Sequence, residues 1–125
     1  MKTSTLVIWF GALALAACAS TAPPTGRVNS SEDAVRSARE LGAEQEPTAT
    51  LHLEAAEEQL AHAKRLMGQG QNEKAAWLLA RAEADANLSI ALTREAKNKR
   101  EAQDAEVQIK RLDETQRSRE LGPGP

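Results

Sequence analysis

A stretch of about fifty residues without glycine or proline restricts the fold of this 125-residue chain more than any other feature. It runs from Asn72 to Leu121, and glycine and proline are the residues that interrupt helices most strongly. Small and apolar residues recur within it at intervals of four and three, which places them on one helix face. A single long helix over about residues 72–119 is therefore predicted, and its seam comprises Ala75, Leu79, Ala82, Ala86, Ser89 and Thr93.

The segment before this stretch has the same spacing and predicts a helix over about residues 48–67. The members of its seam are Leu53, Ala56, Leu60, Ala63 and Met67. The run Gly68–Asn72 lies between the two helices; a glycine can close the first, and Asn72 can cap the second. Because alanine seams let helix backbones approach closely and the turn is short, the two helices are predicted to form an antiparallel hairpin.

A shorter helix over residues 31–41 is predicted to precede the hairpin. Ser30, with Asp33 three residues later, resembles a capping box, and Gly42 ends the helix. Its apolar face consists of Ala34, Val35, Ala38 and Leu41. This face is expected to cover Trp77, Ala84 and Leu88, which lie off the seam of the long helix.

The predicted fold is therefore all-α: an antiparallel, coiled-coil-like hairpin with a short preceding helix and a long extended C-terminal helix. The helical domain covers residues 30–121, and residues 122–125 form a disordered tail. Aromatic residues make up only 2% of the chain, and a core of alanine and leucine buries little area per residue, which favours packed helices over a thick globule.

The end of the long helix, from Arg94 to Glu120, has no predicted partner within the chain. It is highly charged, with three acid-before-base pairs at i, i+4: Glu95–Lys99, Glu106–Lys110 and Asp113–Arg117. A thin apolar seam still runs along it, formed by Ala102, Ala105, Ile109 and Leu112. Two interpretations stay open: a solvated single helix, or a coiled-coil seam for a second copy or an envelope protein.

The first residues are typical of a secretion signal. Lys2 is followed by an uncharged apolar run, Leu6–Ala17, which has the length of a signal peptide's hydrophobic region and is shorter than the roughly twenty residues of a membrane span. The sequence Leu15-Ala16-Ala17-Cys18 resembles the bacterial lipobox. This resemblance implies cleavage after a signal peptide of residues 1–17 and conversion of Cys18 to an N-palmitoyl, S-diacylglycerol cysteine that anchors the chain to a membrane.

The residues after Cys18 bear on the membrane in which the protein is anchored. Residues 18–29 are rich in serine, threonine, proline and glycine and are predicted to be a flexible tether. No aspartate follows Cys18. By resemblance to enterobacterial lipoproteins, this favours the outer membrane, with the protein facing the periplasm.

No pattern of catalytic, metal-binding or cofactor-binding residues emerges. His52 and His62 are ten positions apart, which does not match zinc-ligand spacing. Acidic residues interrupt the basic cluster that begins at Arg94, and no aromatic residue lies nearby to stack on bases. We therefore expect no enzyme activity, no metal or cofactor, no nucleic-acid partner and no small-molecule substrate.

From about Pro47 to Ala91 the chain resembles the bacterial family known as domain of unknown function 4398. The resemblance is carried by an alanine- and leucine-rich helix, a glycine turn and the residues Ala75, Leu78, Leu79, Ala82, Glu83, Ala84, Asp85, Ala86 and Leu88. It implies a location in the cell envelope, because members are typically short lipoproteins or precede an OmpA-like peptidoglycan-binding domain. It implies no catalytic residues.

These observations predict a membrane-anchored envelope lipoprotein with a structural or protein-interaction role. The alternative is a helical peptide-binding adaptor, because the hairpin resembles one tetratricopeptide unit. A single unit of that kind cannot bury its own apolar face.

Overall fold

The structure is a computed structural model and describes residues 21–122. The predicted signal peptide, Cys18 and residues 123–125 of the predicted tail lie outside this range. The elements, in order, are helix α1 (Thr25–Leu41), a 3₁₀ turn (Ala43–Gln45), helix α2 (Pro47–Gly68) and helix α3 (Asn72–Glu120). Residues 21–122 contain no strand, and the predicted all-α class with a long C-terminal helix is confirmed.

Helices α2 and α3 form the predicted hairpin. Gly70 takes a positive φ of 74° in the connecting turn, a conformation that glycine adopts without steric cost. All six predicted seam residues of α3 are buried, as are four of the five in α2, while Met67 is partly buried against the core. Ala49 extends the α2 seam by one position. The spacing of small residues therefore identified this interface correctly.

Helix α1 packs into the groove between α2 and α3. It runs antiparallel to α2, because Lys64 Nζ lies 2.6 Å from Glu32 Oε1 and Arg39 Nε donates to Glu57 Oε1 at 2.9 Å. The hydrogen bond from Lys64 and its positive charge hold the pKa of Glu32 below its usual value. The hydroxyl of Ser31 lies 3.0 Å from the backbone oxygen of Leu79 in the buried interface with α3 and 2.8 Å from that of Arg27 in its own helix, so the two oxygens share its single hydrogen.

The prediction for the start of α1 was wrong. The helix begins at Thr25, so residues 25–29 of the predicted tether are helical. Pro24 stands at the N-cap position, where its restricted φ of −80° suits a helix start, and Val28 packs against the core. Ser30 is not a cap: its hydroxyl donates to the backbone oxygen of Gly26 at 3.2 Å within the helix.

The predicted cap of α3 was also wrong. Gln71 occupies the N-cap position without a side-chain cap hydrogen bond, and Asn72 is the first residue of the helix. The side-chain amide of Asn72 instead donates to the backbone oxygen of Thr21 at 2.5 Å. This contact ties the chain entering α1 to the turn end of the hairpin.

The expected cover of Trp77 and Leu88 by α1 was wrong as well. Trp77 is 73% exposed and Leu88 is 43% exposed. Helix α1 instead contributes small residues, such as Ser31 and Ala38, to the seam that α2 already uses. Small side chains on all three helices let them meet on one face of α3, which leaves the opposite face uncovered.

Leu79 is the largest of the fully buried side chains, so replacing it should create a cavity. We expect Leu79→Ala to lower the free energy of unfolding by about 2–5 kcal/mol, measured by urea denaturation followed by circular dichroism. The matched control is Leu51→Ala, since Leu51 is exposed on α2 and its replacement should stay within about 0.5 kcal/mol of the parent. Equal losses in the two variants would contradict the assigned core.

The hydroxyl of Ser31 should contribute measurably to the docking of α1. We expect Ser31→Ala to cost about 0.5–1.5 kcal/mol, because it removes a hydrogen-bond donor and leaves a carbonyl of α3 less well satisfied. Ser30→Ala is the control, since Ser30 is exposed and bonds within its own helix. If Ser30→Ala proved as costly as Ser31→Ala in the same urea titration, the interhelical bond would not be the cause.

Candidate interaction surface

Helix α3 continues well past the point where its partners end. Arg100 Nη2 lies 3.0 Å from Glu46 Oε2, just before the first residue of α2. Thr93 is the last buried residue, and every residue from Lys97 to Gly122 is exposed. We call residues 101–120 the arm; at 1.5 Å per residue it is about 30 Å long.

The arm has no partner within residues 21–122 because the buried seam of α3 becomes polar there. Continuing the intervals of three and four beyond Thr93 leads through Ala96 to Arg100, Gln103 and Lys110, with Val107 as the one apolar residue between the last two. A charged and an amide side chain cannot extend an alanine interface without losing hydration. The interhelical contacts therefore stop where the sequence of this face changes.

The predicted interaction seam lies on the arm. Ala102 and Ala105 are exposed, Ile109 is 58% exposed and Leu112 is 63% exposed. None of the three predicted i, i+4 acid–base pairs forms a salt bridge; the salt bridges among the described residues involve other side chains. The seam is thus available for contact with another molecule.

The seam continues onto the body of the molecule. Counting back from Leu112 in steps of three and four leads without interruption to Trp77. We call this set the outer stripe; its members are Trp77, Arg81, Ala84, Leu88, Ala91, Glu95, Asn98, Ala102, Ala105, Ile109 and Leu112. Every member is exposed. Sequence reasoning missed this continuity because Trp77 and Leu88 were assigned to the interface with α1, although the spacing itself was visible.

The outer stripe lies opposite the buried seam. Its members on the body follow the buried residues by two positions, which is about 200° around a helix. Trp77, Leu88, Ile109 and Leu112 are four large exposed apolar side chains of α3, and all belong to the stripe. Val107, which is 46% exposed, lies on the other side of the helix. Exposed apolar residues aligned along one face are typical of an interaction surface.

The polar cluster between α2 and α3 serves packing. His52 Nδ1 lies 3.2 Å from Asp85 Oδ1, and the Gln59 side-chain amide donates to Asp85 Oδ2 at 2.7 Å. His62 is exposed and takes no part in this cluster. Within residues 21–122 no three His, Cys, Asp or Glu side chains are grouped so that they could hold a metal ion. The cluster links two helices through a shared carboxylate.

The fold is thus an alanine-seamed three-helix domain with one long helix that presents a free face. The chain belongs to the family described as Domain of unknown function (DUF4398), whose model matches residues 27–105. The match covers α1, α2 and the part of α3 that includes Ala102 and Ala105, and it ends before Ile109. No curated protein and no solved structure matches the chain. Among residues 21–122, no helix combines the length and hydropathy needed to cross a bilayer.

The arm should contribute nothing to the stability of the body. We expect the double variant Ile109→Ser, Leu112→Ser to keep the parent's free energy of unfolding within about 0.5 kcal/mol in dilute solution, because neither side chain packs against the core. Chemical denaturation followed by circular dichroism measures this. A loss as large as that of Leu79→Ala would show that the arm folds back on the body.

Proposed function

We propose that this protein is a lipid-anchored lipoprotein of the cell envelope that binds a protein partner through the outer stripe of α3. The observation that carries the interaction role is the continuous exposure of this stripe from Trp77 to Leu112. The anchor is supported by the lipobox-like sequence that ends in Cys18, the single cysteine of the chain. Two or more acyl chains on that residue would give stable membrane attachment.

The position of Cys18 in the sequence relates the anchor to the fold. Cys18 precedes Thr21 by three residues, and an extended chain spans at most about 3.6 Å per residue, or about 11 Å. Thr21 accepts a hydrogen bond from Asn72 at the start of α3. A lipid on Cys18 would therefore lie near the turn end of the hairpin, and the arm would leave the body at the opposite end.

The free surface of the fold suits helix pairing better than peptide binding by an adaptor. The groove between α2 and α3 is filled by α1, whose Ser31, Val35 and Ala38 are buried there. A tetratricopeptide-like groove would need an open concave surface formed by several such units. The free surface of this protein is instead the convex outer face of a single helix, which suits pairing with another helix.

Replacing Cys18 tests the anchor. We expect the full chain expressed in a Gram-negative host to yield a mature protein whose mass includes the acyl groups and which fractionates with the outer membrane. Cys18→Ala should lose the added mass and the membrane association, because no other thiol is present to be acylated. Thr21→Ala, three residues later, is the matched control and should behave as the parent.

Mass spectrometry and density-gradient fractionation provide the two measurements. A parent protein without acyl groups, or equal fractionation of the parent and Cys18→Ala, would contradict the anchor. Recovery of the acylated parent in the inner membrane would contradict the location alone.

A further inference from the structure

We propose that the outer stripe binds a second copy of this chain, with the two α3 helices antiparallel and crossing near residues 96 and 97. In this alignment the arm of each copy packs along the outer face of the other copy's body. The inference rests on the proposed function, because it identifies the protein that binds the outer stripe as a second copy of this chain.

The length of the stripe is sufficient for a stable helix pair. In this alignment its paired members span residues 81–112, about four and a half heptads, whereas three or four sustained heptads are typical of a coiled coil. The arm seam alone covers barely two heptads. Inclusion of the exposed residues on the body, Leu88 above all, is what extends the surface to this length. Trp77 lies beyond the paired members, opposite Gln116 of the second copy.

Charges along the stripe exclude a parallel pair in register. Arg81 and Glu95 are members of the stripe, and in a parallel pair each would face its own equivalent in the interface. At the flanks, Arg94 would lie beside Lys99 of the second copy. Like charges in these positions destabilise helix pairs and set their orientation. The stripe therefore requires an antiparallel partner.

In the antiparallel alignment, six of the eight apolar members of the stripe meet one another. A residue of one copy lies opposite the residue of the second copy whose number brings the sum to 193. In two of the resulting layers a large side chain packs against a small one, and in the third two small side chains meet. The layers are Ala84 with Ile109, Leu88 with Ala105, and Ala91 with Ala102. Such alternation of large and small residues is the packing that closely approaching helices favour. Twofold symmetry repeats each layer.

The polar members are also compatible with this alignment. Glu95 faces Asn98 of the second copy, whose amide can donate to the carboxylate. Arg81 faces Leu112 of the second copy, and its aliphatic stem can cover that side chain. Beside these layers, Arg94 lies near Glu101 of the second copy, and symmetry forms this opposite-charge pair twice.

One pair of like charges is created, between Asp85 and Glu106 of the second copy. Asp85 already accepts a hydrogen bond from Gln59 at 2.7 Å and lies 3.2 Å from His52 within its own chain. The carboxylate of Asp85 therefore points toward α2, which reduces its repulsion with Glu106 of the second copy.

The pairing fixes the relation between the two anchors. In each copy, the crossing point lies about 24 residues, or about 37 Å, from the start of α3. The turn ends of the two copies, where Cys18 enters, would then lie about 70 Å apart at opposite ends of the pair. A pair with both lipids in one membrane would lie along its surface.

Co-capture of two differently tagged full-length copies tests the proposal. Both copies are expressed together and extracted in mild detergent; one tag is captured and the other is quantified. We expect Leu88→Glu in both copies to reduce co-capture by about tenfold or more, because it places a charge in the apolar layers. Val107→Glu is the matched control, since Val107 has nearly the same exposure as Leu88 and lies on the opposite side of α3.

A charge exchange tests the orientation. Arg94→Glu and Glu101→Arg should each weaken co-capture, and the double variant should restore it, because an antiparallel pair regains its opposite charges. A parallel pair would instead be strengthened by Arg94→Glu, which would then face Lys99, and this result would overturn the proposal. Absence of co-capture in the parent, or equal effects of Leu88→Glu and Val107→Glu, would also overturn it.

The two proposals can fail separately. A parent chain that carries no lipid but is still co-captured would overturn the anchor and leave the pairing intact. An acylated chain that is not co-captured would overturn the pairing and leave the anchor intact.

Discussion

The packing of three helices onto one narrow face of α3 is the constraint on which the rest of the structure depends. That face carries alanine at three of its seven buried positions, and small side chains allow the helix axes to approach closely. Both α1 and α2 dock there, and hydroxyl groups complete the interface: Ser31 donates to the Leu79 oxygen and Ser89 to the Ala49 oxygen. Since both partners share one face, the opposite face stays free along the whole helix.

The arm shows how far local sequence can maintain a helix without packing. It contains no glycine or proline and is rich in glutamate, arginine and glutamine, all strong helix formers. Forming the first turn is the unfavourable step in helix formation, and the arm avoids it because it continues a helix that is already nucleated by the body. Because these residues keep the arm helical, the apolar residues spaced three and four apart stay aligned on one exposed face. The helix and the proposed pairing therefore depend on the same spacing.

Much of the fold followed from periodicity, whereas the surroundings of individual side chains did not. Intervals of three and four residues located α2, α3 and both of their seams, because small apolar residues at that spacing have one favourable environment. The docking of α1 was mispredicted, since Ser31 bonds across the interface and residue type alone does not reveal such a partner. The outer stripe was found only in part, because Trp77 was assumed to need cover within the chain.

Comparing the accessibility of neighbouring positions on α3 tests most directly whether its partners pack on one face only. Single cysteines placed at Ala82 and Ala84, in a full chain that lacks Cys18, differ by two residues but lie on opposite faces. In dilute solution, alkylation should be slow at position 82, under α1 and α2, and rapid at position 84, as at Ala91 on the same outer face. Equally slow alkylation at 82 and 84 in the unpaired chain would show that the outer face is covered and would contradict the account.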